Sequence, residues 1–390
     1  MRTALLLISM TIPAAGMSFP RAAQAPVDRL IRTTSEFLRE HPNDAHAHYV
    51  LGRLHSYAFA EVYEAAIERS RDPRKMFQLL DQSDTGPARE SRADLGQESR
   101  DHFYACLRAY RRAIELEPDD AVYHYSLAWM NQQGAAFSQE LGRPAARFVD
   151  EALAEYRAAY RLASETELES AGGAEPFITA EAGERIIRIL LDRFSPADRS
   201  SDAVVARSEV LSITNVLKDI RRKPGAITPV IFSLTPNTNL EDLLADYTVR
   251  FDLGGFGAGE SWPWVKPDAC ILVWDPRHSG VITSGQQLFG SVTWSMFWND
   301  GYEPLRALDD NGDGWLTGNE LAGIGVWQDR NGNGISDPGE VTPAIEFGIE
   351  AIAVTHEMGR LSRRAGVKMK DDRLLTTFDW VPQTSAPQTN

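Results

Sequence analysis

Two stretches of twelve residues near the C-terminus combine acids, amides and glycines at a spacing that suits a metal ion. They are DDNGDGWLTGNE, residues 309–320, and DRNGNGISDPGE, residues 329–340. Calcium is a hard cation that takes six to eight oxygen ligands, and a short loop supplies them when acids and amides recur at alternate positions. Each stretch also has glycine at position six for a sharp turn and glutamate at position twelve for bidentate binding.

The predicted ligands follow one scheme in both loops. In the first loop they are Asp309, Asn311, Asp313, the carbonyl of Trp315, Thr317 through a water molecule, and Glu320. In the second loop they are Asp329, Asn331, Asn333, the carbonyl of Ile335, Asp337 and Glu340. Surface turns are the alternative, because Asp, Asn and Gly are also common in turns. Two full-length matches favour calcium as the bound ion.

No catalytic residue and no other cofactor site is predicted. The sequence lacks a Gly-x-Ser-x-Gly elbow, a His-Glu-x-x-His helix, a phosphate loop and a nucleotide fingerprint. His278 and His356 lie in loop or strand-end positions with no adjacent nucleophile. An exported hydrolase or lyase with structural calcium remains the alternative function. A deep pocket that gathers His278 or His356 with two acids would favour that alternative.

Composition predicts an exported, acidic protein with more than one domain. The chain has 390 residues, 43% of them hydrophobic, which is enough for two or three cores. Residues 1–25 have the basic start, apolar run and Ala-Gln-Ala end of a secretory signal peptide. Their removal takes away Arg2 and Arg21 and changes the formal net charge from −15 to −17, which disfavours nucleic acid as a partner. No later stretch is long and apolar enough for a transmembrane anchor.

Hydrophobic periodicity divides the rest of the chain into a helical part and a β-rich part. Residues 26–170 have the helical period, residues 171–225 a helical connector, and residues 226–383 a period of two that is typical of strands. Residues 384–390 are predicted to be a disordered tail. The predicted fold class is therefore α+β. Because the predicted ligands all lie in the β-rich part, we expect the helical part to have its own core and to fold without metal.

Small and aromatic residues recur at a regular spacing in the helical part. Cys106, Tyr110 and Ala113, and again Ala152, Tyr156 and Ala159, have the spacing of the second helix of a tetratricopeptide repeat, and first-helix spacing follows Pro42 and Pro118. The helical part thus resembles the tetratricopeptide family. The resemblance implies a scaffold that binds a protein or peptide. A plain helical bundle is the alternative, since small packing residues occur in many helical folds.

The β-rich part carries eight segments in a characteristic order. They are FSLTPNT (from Phe232), FDLGGFG (Phe251), WPWVKPD (Trp262), ILVWDPRHSG (Ile271), QQLFG (Gln286), YEPLRALDDNGDG (Tyr302), VWQDRNGNG (Val326) and PGEV (Pro338). This order resembles the C-terminal modules of hemolysin-type (RTX-like) calcium-binding adhesins, with EF-hand-like loops. The resemblance implies a secreted protein. Toxin activity is not implied, because the glycine-rich nonapeptide repeats are missing.

The resemblance to these modules also shows which loops keep the expected calcium ligands and which loops have lost them. In DPRHSG, Arg277 stands at a ligand position and Gln287 replaces a glutamate, so calcium is not predicted there. Only eight residues separate Glu320 from Asp329, which is too few for two helix–loop–helix units. Calcium is therefore predicted to stabilise the fold rather than to act as a switch, with Trp315 and Trp327 packed near both ions. The predicted protein is a secreted calcium binder with a helical-repeat scaffold for protein interaction.

Overall fold

The structure is a computed structural model that describes residues 25–69, 96–169, 178–195, 197–220, 228–254, 260–296, 298–357 and 362–382. The predicted disordered tail and, except for Ala25, the predicted signal peptide lie outside these ranges. The described residues form a helical part followed by an antiparallel β-sheet. The α+β prediction is therefore confirmed.

The helical part consists of helices that pack against their neighbours in the chain. Those in the described ranges are α1 (Val27–Glu40), α2 (Ala45–Arg69), α3 (Gln97–Leu116), α4 (Ala121–Ala136), α5 (Ala145–Glu169), α6 (Ile178–Arg193) and α7 (Ser201–Ile220). The small and aromatic residues with tetratricopeptide spacing are buried between them. Burial of this kind suits a plain helical bundle equally well. The repeat therefore stays a prediction.

Two helix starts in this part share one local plan. His48 and His124 each place Nε2 close to the carbonyl oxygen of the proline six residues earlier, at 3.0 Å from Pro42 and 2.9 Å from Pro118. The aspartate two residues after each proline accepts hydrogen bonds from N–H groups of the first helical turn, as N-terminal capping residues do. The two histidines therefore fix the turn that precedes each helix.

The C-terminal half is built on strands that pair antiparallel. In chain order they are β1 (Val230–Ser233), β2 (Leu244–Phe251), β3 (Glu260–Val265), β4 (Ala269–Trp274), β5 (Trp315–Thr317), β6 (Ile324–Trp327), β7 (Val341–Pro343), β8 (Ile349–Ala353), β9 (Ser362–Met369) and β10 (Leu374–Asp379). Strands β2 and β3 form a separate hairpin. Two short helices, α8 (Leu240–Leu243) and α9 (Tyr302–Arg306), and 3₁₀ turns at Gly285–Gln287, Thr293–Ser295 and Gly318–Leu321 complete the half. Strands β3, β5 and β7 were not predicted from the sequence.

The strand order requires the main sheet to curl. The order is β5-β8-β9-β10-β1-β4-β6-β7, so β5 and β6 follow each other in the chain but stand six strand spacings apart. In a flat sheet that separation is about 29 Å at about 4.8 Å per strand. The connection from Thr317 to Ile324 contains a 3₁₀ turn and spans less than about 25 Å even if extended. The edge strand β5 must therefore swing back towards β6.

Both faces of the sheet are covered. In β4, Cys270, Leu272 and Trp274 belong to the core that faces the helices, whereas Ile271 and Val273 belong to the core that faces the β2–β3 hairpin. A strand that is buried on both faces has a continuous run of apolar residues, as this one does. The helix-side core extends from α1 through α7 into the sheet as one cluster. The expectation of an independent helical core is therefore wrong, because the two parts share it.

Helix α2 contributes polar contacts to this shared core. Arg53 is fully buried, and its Nε and Nη2 donate to the carbonyl oxygen of Ser295 at 3.4 and 3.1 Å. The Tyr57 hydroxyl donates to the carbonyl oxygen of Trp294 at 2.6 Å. Trp294 and Ser295 both have φ of 56°, a left-handed conformation that costs non-glycine residues about 1–3 kcal/mol. Donors from α2 therefore help to hold a strained turn of the C-terminal half.

Candidate calcium-binding loops

The first residue of each predicted loop is anchored by the turn glycine. Asp309 Oδ2 accepts a hydrogen bond from the N–H of Gly314 at 2.9 Å, and Asp329 Oδ2 accepts one from the N–H of Gly334 at 2.7 Å. Both glycines have positive φ, 85° and 72°, which other residues rarely adopt. The glycine at position six thus sets the turn that brings its N–H group under the aspartate.

The last residue of each loop is anchored in the same way in both copies. Glu320 accepts hydrogen bonds from the N–H groups of positions two and nine, Asp310 at 2.9 Å and Thr317 at 3.0 Å. Glu340 accepts them from the corresponding groups, Arg330 at 2.8 Å and Asp337 at 3.1 Å. Each glutamate carboxylate therefore closes its loop from both ends. Loop two thus repeats the hydrogen bonds of loop one, which two unrelated turns would not be expected to share.

Burial distinguishes the anchoring carboxylates from the other predicted ligands. Asp309, Glu320, Asp329 and Glu340 are 9%, 7%, 0% and 5% exposed, whereas Asp313 is exposed. Burial raises the pKa of Asp309, and the nearby Glu320 and Asp313 carboxylates raise it further against the opposing effect of the glycine N–H groups. Loop one therefore concentrates negative charge in a poorly solvated place, where a cation would be favourable.

The remaining predicted ligands are joined to one another within each loop. Asn311 Nδ2 donates to Asp313 Oδ2 at 3.0 Å. Asn331 and Asn333 donate to Asp337 Oδ2 at 2.7 and 2.9 Å and lower the pKa of that exposed carboxyl. The N–H groups of Trp315 and Ile335 donate to the side chains at position five. In the described part of the chain, no three His, Cys, Asp or Glu side chains come close enough together to form a metal-binding group.

Loop two packs against the β2–β3 hairpin. Trp264 of β3 donates from Nε1 to Asp329 Oδ2 at 2.7 Å, and its ring lies 5.6 Å from that of Trp327. A Cβ at Gly334 would lie 2.7 Å from Val249 of β2, so this loop also needs glycine for close approach. Trp264 was missed by the sequence analysis. Nothing in its spacing distinguishes it from the other tryptophans of this half.

Loop one instead faces the helical part across a cleft. The cleft has a volume of about 520 Å³ and is lined by residues of α1, α2, α9 and the loop, including Phe37, His46 and Glu303. His46 Nε2 lies 2.9 Å from a Glu303 carboxylate oxygen. Burial favours a higher pKa for Glu303, but His46, the Asn299 N–H and Arg306 outweigh it and lower that pKa to about 2. The cleft wall therefore holds a permanently ionised carboxylate at neutral pH.

Residues 275–287 form a third loop of the same design. Asp275 Oδ2 accepts a hydrogen bond from the N–H of Gly280, five residues later, at 2.8 Å, and Gly280 has φ of 68°. The Thr283 N–H at position nine donates to Gln287 Oε1 at 2.9 Å. This bond corresponds to the one between position nine and the closing glutamate in the other loops, although Gln287 stands at position thirteen rather than twelve. The sequence relation to loops one and two is therefore visible in the backbone.

Side chains of this third loop occupy the positions that ligands would otherwise take. The Ser279 hydroxyl donates to Asp275 Oδ1 at 2.9 Å, and Gln287 Nε2 donates to the carbonyl oxygen of Val281 at 2.9 Å. That carbonyl stands at position seven, where the other loops have their predicted backbone ligand. Position two is Pro276, which has no N–H to hold a glutamate. The third loop is thus closed by its own hydrogen bonds.

His356 lies beside two acids, as the alternative hydrolase function would require. Its Nε2 is 3.2 Å from Asp300 Oδ2, and it also interacts electrostatically with Asp379. However, Asp379 is only 4% exposed, and an active site has to open onto a cleft. His278 lies exposed in the third loop. The arrangement therefore places His356 with two acids, one of which is almost completely buried.

The buried Asp379 predicts a specific dependence of stability on pH. Burial raises its pKa to about 7, while the Gly301 N–H, Thr228 and His356 oppose the rise and Asp300 adds to it. In the folded protein it keeps a proton that the unfolded chain has already lost, so stability falls as pH rises from about 4 to 7. We expect Asp379→Asn to be more stable than the wild type at pH 8 by roughly 2 kcal/mol.

Urea unfolding at pH 5, 6.5 and 8 and constant free calcium measures this difference, which should shrink towards pH 5. Asp371→Asn is the matched control, because Asp371 is an exposed carboxylate whose pKa is lowered by Arg373. It should show no gain at pH 8. Equal pH profiles for the wild type and Asp379→Asn would show that Asp379 is ionised when folded.

Comparison with known proteins identifies one family and a partial relative. Residues 237–380 match the family described as the SPM domain, so this half contains an SPM domain, and both predicted loops lie inside it. Iron-regulated protein FrpA of Neisseria meningitidis serogroup C is 34% identical over 112 residues, which are 27% of this chain and 10% of that relative. The chain thus spans about a tenth of the length of this relative. These matches support neither the tetratricopeptide nor the EF-hand resemblance.

Within the described ranges, no helix combines the length and apolar character that a membrane crossing requires.

Proposed function

We propose that the C-terminal half is an exported calcium-binding module in which loops 309–320 and 329–340 each hold one ion that stabilises the fold. The observation that carries the proposal is the hydrogen-bond plan common to both loops. In each loop, a buried aspartate is held by the glycine at position six, and a buried glutamate is held by positions two and nine. The anchors at both ends of the ligand set are thus already oriented.

The donor set suits calcium rather than a transition metal. The predicted ligands are carboxylates, amides, a hydroxyl and backbone carbonyls, which are all oxygen donors, and hard cations prefer oxygen. Because the carboxylates do not already converge, binding has to draw the exposed side chains towards the buried anchors. A flexible loop with a bidentate glutamate favours Ca²⁺ over the smaller Mg²⁺, which demands a rigid octahedron.

The third loop supports the proposal by contrast. It keeps the turn but satisfies its carboxylate and its position-seven carbonyl with Ser279 and Gln287. In loops one and two, by contrast, the described donors to Asp309 and Asp329 from within the loop are backbone N–H groups rather than side chains. A bound cation would supply the missing partner for the oxygen ligands of these two loops.

Export and a protein partner are further parts of the proposal. The predicted signal peptide supports export, and the helical part supports a role in binding a protein or peptide. Because one side of that part is covered by the sheet, its partner would bind the opposite side.

Calorimetric titration of the mature chain tests the calcium proposal. We expect two Ca²⁺ per chain, with dissociation constants of roughly 10⁻⁵ to 10⁻³ M, as in extracellular modules, and no comparable binding of Mg²⁺. Glu320→Gln and Glu340→Gln should each weaken one site by about tenfold or more, because each removes a charged bidentate ligand. Gln287→Glu is the control and should leave the stoichiometry at two, since Pro276 cannot hold the new carboxylate. Absence of heat, or one ion per chain, would overturn the proposal.

A further inference from the structure

Helix α1 docks on the segment that leads into loop one. Arg29 Nη2 donates to the carbonyl oxygen of Leu308 at 2.5 Å, and the Thr33 hydroxyl donates to the carbonyl oxygen of Ala307 at 2.9 Å. Leu308 is fully buried. The two acceptors immediately precede Asp309, the first predicted ligand. The position of α1 therefore depends on the backbone conformation at the start of the loop.

The contact continues into the loop itself. Asp310, at position two, accepts hydrogen bonds through Oδ1 from Arg29 at 2.9 Å and from Arg32 at 3.1 Å. Its own N–H donates to Glu320 at 2.9 Å. Asp310 is not a predicted ligand. It joins helix α1 on one side to the closing glutamate of the loop on the other.

Loop two has a different neighbour. Trp264 and Val249 of the β2–β3 hairpin contact it at Asp329 and Gly334, and the Ser336 hydroxyl oxygen accepts a hydrogen bond from the Ile282 N–H at 2.8 Å. None of the hydrogen bonds described for residues 329–340 involves helices α1 to α7. The two loops, although close in sequence, therefore contact different parts of the molecule.

We propose that the two loops have separate roles: calcium in loop one fixes the docking surface of helix α1, and calcium in loop two fixes the β2–β3 hairpin. This inference rests on the proposed calcium binding. The acceptors of α1 lie at residues 307, 308 and 310, on either side of the ligand Asp309. Binding that fixes Asp309 and Glu320 also fixes these acceptors. Because coupling between two sites is reciprocal, docking of α1 in turn raises the calcium affinity of loop one.

Hydrogen exchange of the full mature chain, measured by mass spectrometry, tests whether the two loops have these separate roles. With calcium present, Glu320→Gln should speed exchange in α1 by about tenfold, as chelator should in the wild type, and leave the β2–β3 hairpin protected. Glu340→Gln should instead speed exchange in the β2–β3 hairpin and leave α1 protected. Equal effects of both variants on α1, unchanged α1 protection, or greater protection in chelator would overturn the inference.

Asp310→Ala separates docking from ion binding. It removes the carboxylate that Arg29 and Arg32 contact but keeps the N–H that holds Glu320. We expect two ions still to bind, α1 to lose protection, and the affinity of loop one to fall by about fivefold. Arg330→Ala changes position two of loop two and should leave α1 unchanged, which makes it the matched control.

Failure of the inference can be distinguished from failure of the proposed function. If the wild type gives no heat with calcium, the calcium proposal itself is wrong. If two ions bind and Asp310→Ala leaves the protection of α1 unchanged, only the role assigned to loop one is wrong.

Discussion

Removal of calcium is expected to lower the melting temperature of the mature chain by about 10–20 °C. At free calcium a hundredfold above its dissociation constant, each site adds about 2.7 kcal/mol to the free energy of unfolding. Two sites together add about 5 kcal/mol, and each 1 kcal/mol shifts the melting temperature by about 2–4 °C in a domain of 150–250 residues. The effect is large because the carboxylates of Asp309, Glu320, Asp329 and Glu340 are buried and because, without a cation, Glu320 and Asp313 raise the pKa of Asp309.

Because the helical part and the sheet share a core, the removal of calcium should affect both parts of the chain. If the two parts had separate cores, chelator would leave the helical part unaffected. Because one buried cluster joins the helices to the sheet, we expect both parts to unfold together at the lower temperature. Scanning calorimetry in calcium, in chelator and in magnesium measures this, and trypsin should cut at the exposed Arg277 and Arg330 more readily in chelator. Identical melting curves and cleavage patterns would mean that the loops are simple turns.

Arg53→Ala is expected to destabilise the protein by about 3 kcal/mol or more. The substitution leaves the partly buried carbonyl oxygen of Ser295 without its Arg53 donor, which costs about 1–3 kcal/mol. It also opens a cavity beside the rings of Tyr57 and Trp129, whose centres lie 4.7 and 5.9 Å from the guanidinium carbon. The strained turn at Trp294 and Ser295 loses a contact that holds it. Arg53→Lys should be intermediate, because lysine can donate to one carbonyl but lacks the planar fork.

Urea unfolding followed by tryptophan fluorescence provides the measurement. Tyr57→Phe removes the bond to the Trp294 carbonyl and the contact of the hydroxyl with Arg53, and it should cost about 1–2 kcal/mol. Arg157→Ala is the control, because Arg157 forms a partly exposed ion pair with Glu209 and such pairs contribute less than about 1 kcal/mol. If Arg53→Ala and Arg157→Ala had equal effects, the contact between α2 and the turn would be unimportant for stability.

The features that the sequence predicted well are those that depend on near neighbours in the chain. A period of two reflects side chains that alternate across a strand, and a short apolar run is typical of a strand buried on both faces, so β1, β4, β8 and β10 were found without knowing their partners. Twelve consecutive residues contain every predicted ligand of each loop, so the glycine turn and the closing glutamate were also predicted, although calcium itself stays a prediction. The short strands β5 and β7 contain three residues each, too few for a period to be recognised.

Tertiary structure alone decided which distant segments meet. Arg53 and Ser295, Arg29 and Asp310, and Trp264 and Asp329 are brought together by the packing of the helices and the curl of the sheet. No local pattern marks such pairs, because the free energy that selects them comes from burying surfaces that are distant in sequence. The short spacer between the loops suggested that both ions share one environment. Pairing places β5 at one edge of the sheet and β6 beside the opposite edge, so the chain turns one loop towards helix α1 and the other towards the β2–β3 hairpin.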